Sequence, residues 1–167
     1  MVREFEDLPD EQLVVVVDAL GAPMHSNGAA NDGEPVNSAP INEMEQALSF
    51  ASSICWDYCR HKGNRLALVL AGAKPLVIEG TTGMPLALEM LEALAVMPNE
   101  APDDAALIDK LVETDLPTGP MLLVTVRDSG LAPSLSRALG RPVAQINVAR
   151  GEEVEFFEMP ETANTKA

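Results

Sequence analysis

Two aspartates and two threonines in this sequence stand beside predicted strands and helices, where their side chains could meet at one edge of a sheet. Asp18 directly follows an apolar run, LVVVV, and Asp128 stands two residues after a second run, MLLVTV. Thr81 and Thr82 lie between two glycines, just before a stretch with helical periodicity. The first question is therefore whether the fold brings these four side chains together.

The apolar run before Asp18 predicts the strand that organises the chain. Its residues, 13–17, do not alternate with polar ones, which is typical of a parallel strand buried on both faces. Ligand sites of open α/β sheets lie outside the carboxyl ends of such strands, at the point where the strand order reverses. We therefore expect Asp18 and Asp128 to approach each other, with Thr81 or Thr82 nearby.

The rest of the chain predicts an alternation of strands and helices. The link at 72–74 is far too short for a parallel crossover, which needs roughly a dozen residues, so the strands beside it should form an antiparallel hairpin. In the helix that opens near Pro85, the spacing predicts an inner stripe of Met84, Ala87, Leu88, Leu91 and Leu94. Strands are predicted at 13–17, 66–71, 75–79, 121–126, 143–148 and 154–158, and the longest helix at 42–62.

This order of elements predicts a doubly wound α/β domain. We expect a mostly parallel sheet of about six strands, with one antiparallel edge strand and helices on both faces, similar to a Rossmann fold. The domain should span residues 1–159, and the polar segment 160–167 should be a disordered tail. A loop rich in Gly, Pro, Asn and Ser, at 21–40, directly follows Asp18. Loops of this length are usually functional or disordered.

The charge balance limits the classes of partner. The 167 residues include 26 acidic and 11 basic ones, which gives a net charge of -15. Such a chain is repelled by phosphates, so nucleic acid and anionic membranes are poor partners, whereas a basic protein or a cation fits. The acidic N-terminus has no apolar segment typical of a signal peptide, and two cysteines cannot form a disulfide framework. We therefore expect a cytoplasmic location.

Other reactive residue types do not form a recognisable site. Cys55 and Cys59 are four residues apart on the long predicted helix, but a structural metal site needs four ligands, and we interpret them as buried apolar residues. The GTTG segment lacks the lysine of a phosphate-binding loop. Ser129 has no neighbouring histidine base. These observations indicate a protein that is not an enzyme.

Several segments resemble a known family. They are the lead-in VREFE, VVVVDA at 14–19, ALSFASSICWDYCRHKGNRLALVLAG at 47–72, and MLEALA at 90–95. In these segments the chain resembles the domain of unknown function 58 family, a bacterial branch of the von Willebrand factor type A-like domains. The resemblance covers most of residues 1–95, and the second half matches in its order of elements. It implies the C-terminal portion of a longer protein, and the preceding segment of such proteins often includes membrane helices.

Type A domains commonly carry a metal-ion-dependent adhesion site. Its pattern is Asp-x-Ser-x-Ser after the first strand, a threonine before a later helix, and an aspartate after the fourth strand. The resemblance assigns these roles to Asp18, to Thr81 or Thr82, and to Asp128, but Leu20 and Ala22 replace the two serines. It thus implies a degenerate site with no bound cofactor, or with weakly bound Mg²⁺ at most. Oxygen ligands from the long loop are an alternative: Ser26, Asn27 or Asp32.

The resemblance also implies a function. It indicates a protein-interaction domain without enzymatic activity, and it implies a MoxR-type AAA+ ATPase as the class of partner. Two alternatives remain open at this point. One is an Mg²⁺-dependent adhesion domain with a functional metal site, and the other is a small Mg²⁺-dependent hydrolase that uses the same two aspartates.

Overall fold

A computed structural model describes residues 11–18, 39–97, 102–127 and 130–151, and the structural statements below concern these residues. A short 3-10 turn, Val148–Arg150, follows the last strand. The elements in chain order are β1 (Gln12–Asp18), α1 (Ala39–Cys59), β2 (Arg65–Leu70), β3 (Leu76–Thr81), α2 (Met84–Ala95), α3 (Asp104–Glu113), β4 (Met121–Thr125), α4 (Leu131–Leu139) and β5 (Val143–Asn147).

The strands form one sheet in the order β3-β2-β1-β4-β5. β1 is parallel to both β2 and β4, β5 is parallel to β4, and β3 is antiparallel to β2. The mostly parallel sheet with one antiparallel edge strand is therefore confirmed, and so is the hairpin required by the short link. Five strands lie in the described part of the chain. The strand expected at 154–158 and the tail at 160–167 lie outside it.

β1 is central because both of its faces are covered. Val15 and Val17 pack in one apolar cluster with α1 and α2, and Val14 and Val16 pack in another with α3 and α4. All four valines are fully buried. Burial on both faces explains why this strand has an apolar run without alternation.

The helices depart from the predicted positions in detail. α1 starts and ends three residues earlier than the predicted 42–62, and the chain turns at Gly63, which has a φ of 91°. The inner stripe predicted for α2 was wrong at Met84 and Leu88, which are more than half exposed. Because α2 is apolar on nearly all sides, its sequence did not define which side faces the sheet. The residues of α2 that are buried are Leu86, Ala87, Met90 and Leu94.

A close backbone contact joins the start of β1 to the entrance of β4. A Cβ atom on Gly119 would lie 1.8 Å from the carbonyl oxygen of Gln12, so the position admits only glycine without movement of the backbone. The side chain of Gln12 also accepts a hydrogen bond of 2.7 Å from the backbone N–H of Thr118. These contacts hold the turn before β4 against β1. None of the described helices combines the length and apolarity needed to cross a membrane.

Candidate functional site

Asp18 lies at the carboxyl end of β1, where the sequence places it. It pairs in the sheet with Thr125, the last residue of β4, and the Thr125 hydroxyl lies 3.3 Å from Asp18 Oδ2. The Asp18 side chain is 0% exposed, so its charge requires a partner inside the protein.

That partner is Arg127, two residues beyond β4. Its Nε atom donates a hydrogen bond of 2.6 Å to Asp18 Oδ2, and its Nη2 atom donates a hydrogen bond of 2.7 Å to Asp104 Oδ1. Asp104 is the first residue of α3. One guanidinium group therefore bridges two carboxylates that are 86 residues apart in sequence (104 − 18 = 86).

The start of α3 reaches this edge of the sheet through its backbone. The N–H of Asp103 donates a hydrogen bond of 3.3 Å to the carbonyl of Gly72, just beyond β2. The Asp103 carboxylate then caps the helix by accepting a hydrogen bond of 3.0 Å from the N–H of Ala106. Asp104 is thereby placed at the carboxyl edge of the sheet, facing Arg127.

The electrostatics of the cluster are set by burial and by the ion pairs. Burial raises the pKa of Asp18, and the hydrogen bond and charge of Arg127 oppose that rise without cancelling it. Burial alone would lower the pKa of Arg127, but the bonds to Asp18 and Asp104 outweigh it and raise the value. Arg127 is thus a permanent cation. Asp18 Oδ1 is buried and finds no hydrogen-bond partner within the described residues.

Thr81 and Thr82 do not belong to this site. Because β3 runs antiparallel, Thr81 pairs with Arg65 at the start of β2, which is the amino edge of the sheet. That is roughly 15–20 Å along the strands from the level of Asp18. The Thr82 hydroxyl donates to the carbonyl of His61 and accepts a hydrogen bond of 3.1 Å from the N–H of Asn64. The expectation that either threonine lies near Asp18 was wrong, because the reversal of β3 carries its end away from Asp18.

Asp128 lies outside the described residues, so its approach to Asp18 stays a prediction. The residues that the sequence reasoning missed are Arg127 and Asp104. Signals for both are present in the sequence. Arg127 closely follows a buried strand. Asp104 begins the helix that leads into β4, and this helix must start at the carboxyl edge because β4 begins at the amino edge.

The described residues do not fit an Mg²⁺ ion. No group of three or more His, Cys, Asp or Glu side chains able to hold a metal occurs among them. The oxygens that Asp18 and Asp104 direct into the cluster already bind the guanidinium. A divalent cation at Asp18 would lie beside the positive charge of Arg127, which opposes its binding. The resemblance to type A domains implies a metal here, but among the described residues the cluster contains a cation from the chain itself.

The two cysteines are buried on α1 and are not disulfide-bonded, as the sequence predicts for apolar positions. Burial raises the pKa of the Cys55 thiol to about 12, so the thiolate is scarcely populated at neutral pH. Reactivity of cysteine requires the thiolate. Cys55 is therefore a packing residue.

Comparison with known proteins finds similarity in structure alone. Neither protein-family models nor curated protein sequences match the chain. A solved structure described as von Willebrand factor type A from Catenulispora acidiphila superposes with a TM-score of 0.51 and 11% identity. The alignment covers 90% of this chain and 42% of that one, so the chain spans less than half of that protein's length. An aerotolerance-related membrane protein from Bacteroides fragilis, with multiple mutations to serines, gives a TM-score of 0.45 and 12% identity, over 82% of this chain and 67% of that one. The chain has a von Willebrand factor type A-like α/β fold.

Proposed function

We propose that this domain is a protein-interaction module without enzymatic activity, in which Arg127 supplies the positive charge that a metal ion supplies in related folds. The observation that carries the proposal is the pair of short bonds from Arg127 to Asp18 and Asp104. The guanidinium neutralises a buried carboxylate and ties β1, the end of β4 and α3 together. The carboxyl edge of the sheet is thereby ordered without a cofactor.

The chemistry of the cluster supports binding rather than catalysis. The Thr125 hydroxyl is held between Asp18 and the backbone of Arg127, so it is not a free nucleophile. Asp18 Oδ2 and Asp104 Oδ1 bind Arg127, and the other Asp18 oxygen is buried, so Asp18 does not face a substrate as a general base. A hydrolase would need a base and an activated water at this place. Among the described residues of this edge, both carboxylates bind Arg127, and neither is placed to serve as that base.

The sequence resemblance to the domain of unknown function 58 family supplies the first partner to test, a MoxR-type AAA+ ATPase. The net charge of -15 supports a partner with a basic surface, since opposite charges accelerate encounter. Two free, buried thiols support a reducing compartment such as the cytoplasm. We include this partner and this location in the proposal.

The test separates the arginine-bridged site from a functional metal site. Calorimetry and melting curves are measured with Mg²⁺ and Mn²⁺ at millimolar concentration. We expect no binding heat and no shift of Tm, because a ligand stabilises only in proportion to its occupancy. Binding of a purified MoxR-type ATPase to the immobilised domain is then measured without nucleotide, with and without EDTA. We expect the same affinity in both.

Two results would contradict the proposal. A clear rise of Tm with Mg²⁺, or loss of ATPase binding in EDTA, would favour the Mg²⁺-dependent adhesion domain instead. Absence of ATPase binding under every condition would reject this class of partner.

A further inference from the structure

The outer edge of β3 has backbone groups that no described strand pairs. The N–H of Thr82 donates a hydrogen bond of 2.9 Å to the carbonyl of Asn64. With the register of β2 and β3, this bond shows which alternate residues of β3 are hydrogen-bonded to β2. In an antiparallel pair, alternate residues direct their backbone groups towards the neighbouring strand and away from it. Val77, Glu79 and Thr81 therefore direct their N–H and C=O groups away from β2. β3 is the last strand on that side of the described sheet.

An apolar groove lies beside this edge, between β3 and α2. Leu76 and Ile78 line it from the strand, and Ala93 and Val96 line it from the helix, around a cavity of about 500 Å³. Leu76 is 47% exposed, and Val96, which directly follows α2, is 77% exposed. The groove thus offers apolar surface next to backbone groups that no described strand pairs.

The charges around the groove select its occupant. Glu89 and Glu92 of α2 line it, and both are exposed. A second copy of this chain would bring the same glutamates and another net charge of -15, so self-association through this edge is disfavoured. A segment with lysine or arginine would satisfy the glutamates. The single basic neighbour on the strand pair, Arg65, already binds Glu79 at 3.1 Å.

We infer that the outer edge of β3 binds an extended segment of a partner protein as an additional strand, with apolar and basic side chains facing the groove. The inference rests on the proposed protein-interaction function and names its surface. In such strand addition, backbone hydrogen bonds provide affinity, and pockets for alternate side chains provide specificity. Val77, Glu79 and Thr81 provide the backbone groups. The groove beside Glu89 receives every second side chain.

The phase of the ladder allows a matched pair of variants. Glu79→Pro removes an N–H that points outward, so the β2-β3 hydrogen bonds stay intact, and proline is tolerated in this way on edge strands. Glu79→Ala removes the same carboxylate and its ion pair with Arg65 but keeps the N–H. A difference between the two variants therefore reports on the outward hydrogen bond.

The probe is a labelled synthetic peptide, TLTKTKTLT, in which leucine and lysine share one face of a strand and threonine occupies the other. Fluorescence anisotropy should show that the natural chain and Glu79→Ala bind it with similar affinity. Glu79→Pro should bind it at least about tenfold more weakly, since hydrogen bonds and edge pairing are lost. The control peptide TLTETETLT should also bind at least about tenfold more weakly, because it places like charges beside Glu89 and Glu92.

Hydrogen exchange of the natural chain gives a second measurement that needs no variant. The bound lysine peptide should slow amide exchange at Val77, Glu79 and Thr81. The amides of Ile78 and Gly80 should change little, because they already face β2. Equal binding by Glu79→Pro, no binding by the natural chain, or protection confined to another part of the chain would each overturn the inference.

The ATPase assay distinguishes failure of the surface from failure of the function. If the ATPase binds the natural chain and Glu79→Pro equally, the protein-interaction function stands and the β3 edge is not its surface. If the ATPase loses binding to Glu79→Pro but retains it for Glu79→Ala, the two proposals support each other.

Discussion

Replacement of Arg127 by methionine tests the central contact of the cluster. Methionine approximates the length of the arginine stem but carries no charge, so it leaves Asp18 buried without a counter-ion. Removal of one partner from a buried ion pair costs about 3–5 kcal/mol. Since the Arg127 side chain is 25% exposed and water can enter in its place, we expect the lower end, about 3 kcal/mol. In a domain of this size that loss lowers Tm by about 6–12 °C.

A double variant identifies the cause of the loss. If the cost comes from the uncompensated carboxylate, Asp18→Asn in the Arg127→Met background should restore about half of the lost stability or more. The matched control is Asp104→Asn, which removes the second and more exposed partner and should cost about 1 kcal/mol or less. Urea denaturation gives the free energies of unfolding. If Arg127→Met and the double variant have the same stability, the ion pair is not what Arg127 contributes, and the reasoning is refuted.

The dependence on pH has a definite sign. Burial raises the pKa of Asp18 above its unfolded value of 3.8, and loss of Arg127 should raise it further. A raised carboxyl pKa gives a contribution to stability that is complete below the unfolded value and is lost as the pH rises through the folded value. The gap in stability between the natural chain and Arg127→Met should therefore widen as the pH rises above 3.8, the unfolded value. A gap that narrows over this range would contradict the assignment of charge.

Three further predictions concern stability and reactivity away from the cluster. Gly119→Ala should lower the free energy of unfolding in urea by about 2–3 kcal/mol, because its Cβ would lie 1.8 Å from the carbonyl oxygen of Gln12. The control is Gly72→Ala, whose Cβ would have no atom within 4 Å, and it should leave the stability nearly unchanged. Thr82→Val should cost about 1 kcal/mol in urea unfolding, because it removes two partly buried hydrogen bonds to the backbone of His61 and Asn64. It should leave the response to Mg²⁺ unchanged, and an altered metal response would favour a ligand role for Thr82. Cys55 should react with a thiol reagent only at the rate at which the native chain opens, because burial raises its pKa to about 12; rapid labelling of folded protein would contradict its burial.

The sequence was sufficient for the sheet because the relevant signals are local. The apolar run of β1 indicates burial on two faces, and the short link at 72–74 permits only a hairpin between β2 and β3. The sequence was not sufficient to predict which side of α2 is buried, since apolar residues lie on nearly every side of that helix. Which side is buried depends on the packing of α1 and the sheet, and neither is encoded within those twelve residues.

The candidate site was half predictable for a related reason. Asp18 was placed correctly, because the end of a central parallel strand is fixed by its own apolar run. Thr81 and Thr82 were misplaced, although the predicted hairpin already required β3 to return to the opposite edge of the sheet. Arg127 was missed because a pattern of oxygen ligands does not include a cation supplied by the chain. Its contact with Asp104 joins two elements whose sequences carry no sign of each other.

The burial of β1 on two faces has a consequence for the order in which the chain can fold during synthesis. One face is covered by α1 and α2, which are complete once Ala95 has been made. The other face, with Val14 and Val16, must wait for α3 and α4, and the second neighbour of β1 begins only at Met121. A nascent chain of intermediate length therefore presents a one-sided sheet with an open edge. Such species aggregate readily, so slow translation between the two halves should lower the yield of folded protein.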